Sequence, residues 1–413
     1  MEDLLIIIVI LALFFDFTNG FHDTANAIAT SVSTRALKPR TAVLWAAILN
    51  FAGAFVSLKV AATVAKGVVA ADSVTLPVVF AGIIGAILWN LFTWRVGMPT
   101  SSSHALIGGV AGSAVAALGW DVVKWQGLID KVVVPSLVAP LVGLALAGLI
   151  MFLIFRLVPK SSDSMSDRVF RKLQIVSASF VAFTHGTNDA QKTMGIIALA
   201  LLAVHPAKEF SIPTWVIFSA ATAMALGTYI GGWRIIHTLG QRIVHLRPRE
   251  GFAAETATAS ILWTTAQMGF PVSTTHTISS SIVGAGAVEN RHSINWGVIK
   301  QILIAWLFTL PCAALVGAGA HYLSSIDGGA YITFALLAVI AWTVLWTQHW
   351  DKDVWRQFRA RLRSVNATPT HTVSEQAATV VRRAKHAAAP APTKHPLKTT
   401  TKPVKKSVSK KKR

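Results

Sequence analysis

The sequence has little charge and only one cysteine in its 413 residues. Charged residues make up 14% of the chain and hydrophobic residues 53%, a composition that excludes a set of ordinary soluble domains. Cys312 has no second cysteine to pair with, so an intrachain disulfide and a cysteine-ligated metal cluster are excluded. The first apolar segment lacks the basic flank and small-residue cleavage site of a signal peptide, which predicts a retained span.

Long apolar segments dominate instead. About 20 helical residues cross a hydrocarbon core of roughly 30 Å. Segments of this kind lie near residues 4–33, 41–65, 75–96, 99–118, 132–157, 173–204, 211–236, 252–269, 271–290, 297–323 and 329–350. They are too long and too uniformly apolar for barrel strands. We therefore predict an all-α polytopic membrane protein with about ten to twelve transmembrane helices.

Basic residues collect beside these spans and in the C-terminal region. The formal net charge is +20, and most of it lies in residues 351–413. Eleven crossings that begin outside would put every basic cluster in the cytoplasm, as the positive-inside rule requires. The tail has almost no large apolar side chains, which predicts a disordered cytoplasmic extension that contacts solvent or lipid headgroups. Specific nucleic-acid binding is not expected of such a tail.

Two motifs occur twice, in the same order and at nearly equal separation. The segment at 20–27, Gly-Phe-His-Asp-Thr-Ala-Asn-Ala, is echoed at 185–192, and the Gly-Met-Pro-Thr-Ser-Ser-Ser-His segment at 97–104 is echoed at 269–276. Five crossings in each copy would invert the second copy relative to the first, an arrangement typical of secondary transporters. The predicted organisation is a first inverted repeat at 1–157, a cytoplasmic basic linker at 158–172, a second inverted repeat at 173–323, a final transmembrane helix with its basic flank at 324–355, and the polybasic tail at 356–413.

The hydroxyl runs indicate an anion site. Proline interrupts a helix and suits the first turn of a new one, so each Gly-x-Pro predicts a broken helix or re-entrant hairpin at the membrane midplane. Free N–H groups and the positive dipole end of a helix attract anions there, and hydroxyls add further donors. The residues expected to bind a tetrahedral oxyanion are Ser101, Ser102, Ser103, Ser273, Thr274 and Thr275.

Acidic residues lie within the other pair of motifs. A charge within an apolar segment is costly and is usually retained for ion coupling or substrate handling. Asp23 and Asp189, with the amides Asn26 and Asn188, are therefore predicted to form coupling-ion sites. The nearby glycines Gly20 and Gly186 would allow an unwound backbone whose carbonyls help to hold a cation. His22 is a candidate proton relay, whereas no histidine spacing gives a closed zinc site, so no resident metal or cofactor is expected.

Together these four motifs resemble the inorganic phosphate transporter (PiT) family, and most of all its bacterial low-affinity branch. The resemblance covers about residues 1–350. It implies symport of phosphate, as the free ion or as a neutral complex with a divalent metal, across the cytoplasmic membrane. It also implies a homodimer, phosphate binding by the hydroxyl runs, and coupling-ion binding by the Asp and Asn residues.

The sequence departs from the family signature Gly-Ala-Asn-Asp-Val-Ala-Asn-Ala at two informative positions. His22 replaces the first Asn, and Lys192 stands where the second copy would have the counterpart of Asn26. If the segment is helical, the Lys192 ammonium lies one turn from Asp189 and could fill the space of a bound cation. We therefore predict proton coupling, with Asp23, Asp189 and His22 changing protonation. Sodium coupling stays open, because Lys192 could instead extend toward water.

Three other functions agree less well with these motifs. A membrane metallohydrolase would use His22, Asp23, His185 and Asp189, but the duplicated hydroxyl motifs favour binding without turnover, so no enzyme activity is predicted. A permease for another oxyanion such as sulfate would use the same donors. A channel is disfavoured, because buried acids near an anion site indicate coupled transport and not an open pore.

Overall fold

The computed structural model describes residues 2–67, 69, 74–158, 163–205 and 210–348, and within these ranges it contains helices and no β-strand. The predicted tail at 356–413 lies outside the described residues. The helices are α1 (Glu2–Ser33), α2 (Pro39–Gly53), α3 (Lys59–Gly67), α4 (Leu76–Val96), α5 (Ser102–Leu118), α6 (Trp125–Leu128), α7 (Val134–Leu157), α8 (Asp163–Val204), α9 (Thr214–Ile230), α10 (Trp233–His237), α11 (Pro248–Met268), α12 (Thr274–Asn290), α13 (Trp296–Ser324) and α14 (Gly329–Gln348). The all-α class is confirmed.

Several of these helices carry apolar side chains on their outer surface. On α7 and α13, Leu141 is 67% exposed and Leu307 and Leu315 are each 73% exposed. Within the described residues, five helices are long and apolar enough to cross a membrane, namely α1, α4, the continuous segment Trp125–Leu157, α13 and α14. Apolar side chains outside and polar side chains inside are the distribution that a lipid bilayer stabilises.

Other predicted spans are broken or short. The segment 41–65 divides into α2 and α3, with irregular backbone at 54–58. The segment 211–236 bends by 60° where α9 ends and α10 begins. The segments 99–118 and 271–290 become α5 and α12, each of 17 residues. Such helices are about 26 Å long, so neither alone spans a roughly 30 Å core.

The helices that carry the acidic motifs are continuous. α1 and α8 run through Gly20 and Gly186 without a break, so the prediction of an unwound backbone at these glycines is wrong. The glycines instead allow close helix crossings. A Cβ on Gly20 would lie 2.3 Å from the carbonyl oxygen of Met224, and one on Gly186 would lie 2.1 Å from that of Asn50.

The two copies of the duplicated sequence exchange contacts. α1 packs against α9 and α8 packs against α2, so each motif helix pairs with a helix of the other copy. In the same way α5 packs against α13 and α12 packs against α7. A crosswise arrangement of equivalent helices supports the interpretation of the sequence as an internal duplication.

Two helical hairpins bring the hydroxyl motifs into the protein interior. α4 with α5, and α11 with α12, are joined by turns whose glycines, Gly97 and Gly269, have φ of +72° and +77°. This left-handed conformation suits glycine and ends a helix. Both hairpin tips meet α1, and the α4–α5 tip also meets α8. The predicted basic linker at 158–172 is helical from residue 163, as the beginning of α8.

Candidate functional site

The two hairpin tips have the same local geometry. Ser101 and Ser273 are the N-cap residues of α5 and α12, and each side chain accepts a hydrogen bond of 3.2 Å from the backbone N–H three residues later. The backbone N–H groups of the two residues after each cap have no intrahelical acceptor, because a later residue donates the first intrahelical hydrogen bond of each helix. Each tip therefore presents free N–H groups and the positive end of a helix dipole, as the Gly-x-Pro pattern predicts.

Hydroxyls from both tips converge on one carboxylate of α1. The side chains of Ser102, Thr274 and Thr275 donate to the two oxygens of Asp23 over 3.3, 3.5 and 3.4 Å. Asp23 and all three hydroxyl residues are at most 2% exposed. Hydrogen-bond donors from two separate helices are thus directed at a single buried negative charge.

The amide of Asn26 fixes the direction of two of these hydroxyls. Its nitrogen donates to the hydroxyl oxygens of Thr274 and Thr275 over 3.0 and 2.9 Å. Each hydroxyl accepts from Asn26 and directs its own hydrogen toward Asp23. The arrangement is an oriented chain of donors that ends at the negative charge.

Lys192 occupies the corresponding position on α8. Its ammonium lies 2.5 Å from the carboxylate of Asp189 and 2.5 Å from the hydroxyl oxygen of Ser103, and 3.3 Å from the carbonyl oxygen of Val272. The side chain is 2% exposed, so it does not extend toward water. The segment is helical, so Asp189 and Lys192 lie one turn apart, and the ammonium has three oxygen partners within the protein.

Histidines join each acid to neighbouring polar groups. His22 Nδ1 lies 2.6 Å from Asp23 and its Nε2 lies 3.2 Å from the Thr93 hydroxyl. His185 Nε2 lies 3.4 Å from Asp189, and its Nδ1 lies 3.0 Å from the side-chain oxygen of Asn50. Asp23 therefore has a nitrogen base within hydrogen-bond distance, and His185 lies next to Asp189 at a longer distance.

The acids and one histidine are also close enough to share a cation. Asp23, His185 and Asp189 each present one ligand atom, and these atoms lie within 4.8 Å of one another. Such a donor set suits a divalent cation in principle. However, Lys192 already holds a positive charge against Asp189, which opposes a second cation at the same carboxylate.

Comparisons with known proteins identify the family of this chain. A family model described as the phosphate transporter family matches residues 19–317. A protein of Mycobacterium tuberculosis (strain ATCC 25618 / H37Rv), named "Probable low-affinity inorganic phosphate transporter", is 48% identical over 348 residues, which cover 83% of each chain. The chain belongs to the phosphate transporter family.

Two further relatives agree. A Bacillus subtilis (strain 168) protein with the same printed name is 49% identical over 327 residues, 78% of this chain and 97% of its own. A solved structure titled "The sodium-dependent phosphate transporter" superposes with a TM-score of 0.71 at 24% identity, over 78% of this chain and 99% of that chain. The solved structure shows that the folds are alike, and the resemblance to the bacterial low-affinity branch is confirmed.

The predicted site residues of this phosphate transporter fall into two neighbouring contact networks. Asp23, Asn26, Ser102, Thr274 and Thr275 form one contact network, and Ser103, Asp189 and Lys192 form a second. Ser101 and Ser273 cap α5 and α12 at the same two tips. The side chain of Asn188 is buried, and neither its nitrogen nor its oxygen has a hydrogen-bond partner in the ranges that the structure describes.

Sequence reasoning missed two polar residues of this transporter. Asp16 is fully buried on α1, seven residues before Asp23, and that heptad spacing on one helix face could have indicated it. Asn50 pairs with His185 from α2, and no local motif marks it. The contact of Asn50 with His185 forms because α2 crosses α8, and the sequence alone does not show that crossing.

Proposed function

We propose that this chain is a secondary active symporter that imports inorganic phosphate together with protons. One observation carries the proposal: hydroxyls from both hairpin tips donate to the carboxylate of Asp23 in the protein interior. The same donors and the free amides beside them form a cradle suited to a tetrahedral oxyanion. The proposed phosphate ligands are Ser101, Ser102, Ser103, Ser273, Thr274 and Thr275.

This geometry couples phosphate binding to a proton. While Asp23 is ionised, its carboxylate uses the hydroxyls of Ser102, Thr274 and Thr275 and repels a second anion. When Asp23 takes up a proton, its demand for donors falls and the repulsion disappears. The hydroxyls can then rotate toward phosphate, so proton and anion bind together, which is the requirement for symport.

His22 is placed to deliver that proton. Its Nδ1 lies 2.6 Å from Asp23, and its other nitrogen faces the hydroxyls of Thr93 and Thr100 at 3.2 and 3.5 Å. A neutral imidazole can accept a proton on one side and donate from the other. We assign His22 as a proton relay and Asp23, Asn26, Asn188 and Asp189 as the coupling residues.

Lys192 favours protons over sodium at the second acid. Sodium would need oxygen ligands from Asp189, Ser103 and the backbone, and the Lys192 ammonium already holds these three oxygens. The ammonium is covalently attached to the protein and cannot dissociate. Sodium could bind there only by displacing this group of equal charge from its oxygen partners. In the proposed transport cycle, the two inverted copies move against each other around the buried site. The proposed assembly is a homodimer in the cell membrane, with the tail in the cytoplasm.

Purified protein in liposomes tests the coupling ion. We expect concentrative uptake of radiolabelled phosphate under an imposed inward proton gradient with choline in place of sodium. Because one pH unit is worth about 1.4 kcal/mol per proton, each coupled proton supports about tenfold accumulation per pH unit at zero membrane potential. An inward sodium gradient without a pH gradient should give no accumulation. Uptake that requires sodium would contradict proton coupling, and equal inhibition by sulfate would contradict phosphate selectivity.

A divalent metal carried with phosphate is the second candidate. The close ligand atoms of Asp23, His185 and Asp189 favour it, because a metal-phosphate complex would be neutral and would bring its own countercharge to the acids. The same liposome assay separates the two cargoes when divalent cations are chelated. Proton-driven uptake that continues under chelation supports free phosphate, whereas loss of uptake with rescue by Mg²⁺ supports the complex.

A further inference from the structure

A third buried acid lies outside the contacts described above. Asp16 is 0% exposed on α1, and among the residues that the structure describes neither of its carboxylate oxygens has a hydrogen-bond partner. It precedes Asp23 by seven residues, so the two acids lie on the same side of the helix about 10 Å apart. Asp16 is therefore near the phosphate site and separate from it.

Two neutral oxygens close to Asp16 are also without partners. The side-chain oxygen of Asn19 and the hydroxyl of Thr193 on α8 are both buried, and neither makes a hydrogen bond within the described part of the chain. Both residues are positioned to interact with the Asp16 carboxylate. Each can accept a hydrogen bond from a protonated carboxyl group.

The charged groups that act on Asp16 leave it without a counterion. These groups are Asp189 and Lys192, both on α8. The Lys192 ammonium already donates to Asp189, Ser103 and the backbone, and Asp189 repels a second negative charge. Among the other helices packed against α1, α9 carries no charged residue. The titratable groups of the remaining ones are not among those that act on Asp16, namely Arg40 on α2, Arg95 on α4, His104 on α5, Arg234 and His237 on α10, Arg249, Glu250 and Glu255 on α11, and His276 and Glu289 on α12.

An ionised carboxylate at this position would be buried without a cation of its own, which is strongly unfavourable. A protonated carboxyl group needs only one acceptor, and Asn19 and Thr193 provide two. We propose that Asp16 is a second proton-binding site of the transport cycle, loaded with a proton in the state described here and distinct from Asp23. This inference rests on the proposed proton coupling.

The number of protons moved with each phosphate tests the proposal. In liposomes clamped at zero membrane potential, the logarithm of the phosphate accumulation ratio is measured against the imposed pH difference. We expect the slope of Asp16→Asn to be lower than that of the wild-type protein by one proton per phosphate. Asp16→Glu should restore the slope, and Asp121→Asn, a change at an exposed acid, should leave it unaltered.

Phosphate exchange between equal concentrations, without any pH gradient, should persist within about twofold in Asp16→Asn, since the phosphate site is intact in that variant. A slope equal to that of the wild-type protein would overturn the proposal, and so would loss of exchange together with the slope. Binding of sodium to the wild-type protein that Asp16→Asn removes would assign the site to a different cation. If phosphate accumulation by the wild-type protein does not depend on the proton gradient, the proposed function is wrong, and the Asp16 proposal is wrong with it.

A spectroscopic readout is independent of transport. Infrared difference spectra of the purified protein should contain a carbonyl band from a protonated carboxyl group that Asp16→Asn removes and Asp121→Asn retains. Absence of any such difference would also contradict a proton on Asp16, even in a variant that folds but does not transport.

Discussion

Asp23→Asn is expected to abolish proton-driven accumulation of phosphate. The amide cannot take up and release a proton, so the step that frees the hydroxyls of Ser102, Thr274 and Thr275 for phosphate is lost. The rate of concentrative uptake should fall by roughly 100-fold or more, the range seen when an essential proton-transferring group is removed. Initial rates in liposomes under a fixed pH gradient measure this effect.

Ser102→Ala is the matched control, because it removes one donor from the same cradle and leaves the titrating group in place. Its apparent KM for phosphate should rise about 10- to 100-fold, since a hydrogen bond to a charged group contributes about 1.5–3 kcal/mol. The accumulation reached at saturating phosphate should be unchanged. Full accumulation by Asp23→Asn would remove Asp23 from the coupling mechanism.

Substitution of Lys192 is expected to change the coupling ion. Lys192→Met leaves Asp189 buried beside no cation, and breaking a buried ion pair costs about 3–5 kcal/mol. We therefore expect a less stable protein with no sodium-free uptake. Lys192→Asn instead recreates on α8 the residue type of Asn26, with neutral oxygen and nitrogen groups facing Asp189 and Ser103. Phosphate uptake by Lys192→Asn should be stimulated by sodium.

Uptake and thermal stability in detergent, each measured with sodium or choline, check both variants. Lys300→Met, at an exposed lysine on α13, controls for the loss of one positive charge. If Lys192→Met transports like the wild-type protein in choline, the ammonium has no part in coupling. If Lys192→Asn stays indifferent to sodium, the tethered cation does not explain the choice of ion.

Much of this architecture follows from local sequence chemistry. The Gly-x-Pro hydroxyl motifs predict helix N-termini, because proline suits a first turn and Ser or Thr suits a cap, and the structure places α5 and α12 accordingly. The spacing of Asp189 and Lys192 predicts an ion pair only if the backbone is helical, and α8 is helical there. Recognition of the duplicated motifs was sufficient to identify the phosphate transporter family.

The features that sequence reasoning missed depend on contacts between distant helices. In the sequence, Gly20 and Gly186 are compatible with either an unwound backbone or a close crossing of two helices. The close approach of α9 to Gly20 and of α2 to Gly186 shows that each glycine serves a crossing. The contact of Asn50 with His185 depends on the same crossing. The approach of hydroxyls from both hairpins to Asp23 depends on how the two copies pack, which no single motif encodes.

The central claim is that phosphate binds between the two hairpin tips beside Asp23. Arsenate has the shape and charge of phosphate, and arsenic gives an anomalous X-ray signal that locates it without ambiguity. Crystals grown with arsenate at acidic pH should show one arsenic peak within hydrogen-bond distance of the Ser102 and Thr274 hydroxyls. A peak that contacts neither tip, or no peak in a crystal of protein that transports arsenate, would contradict the account.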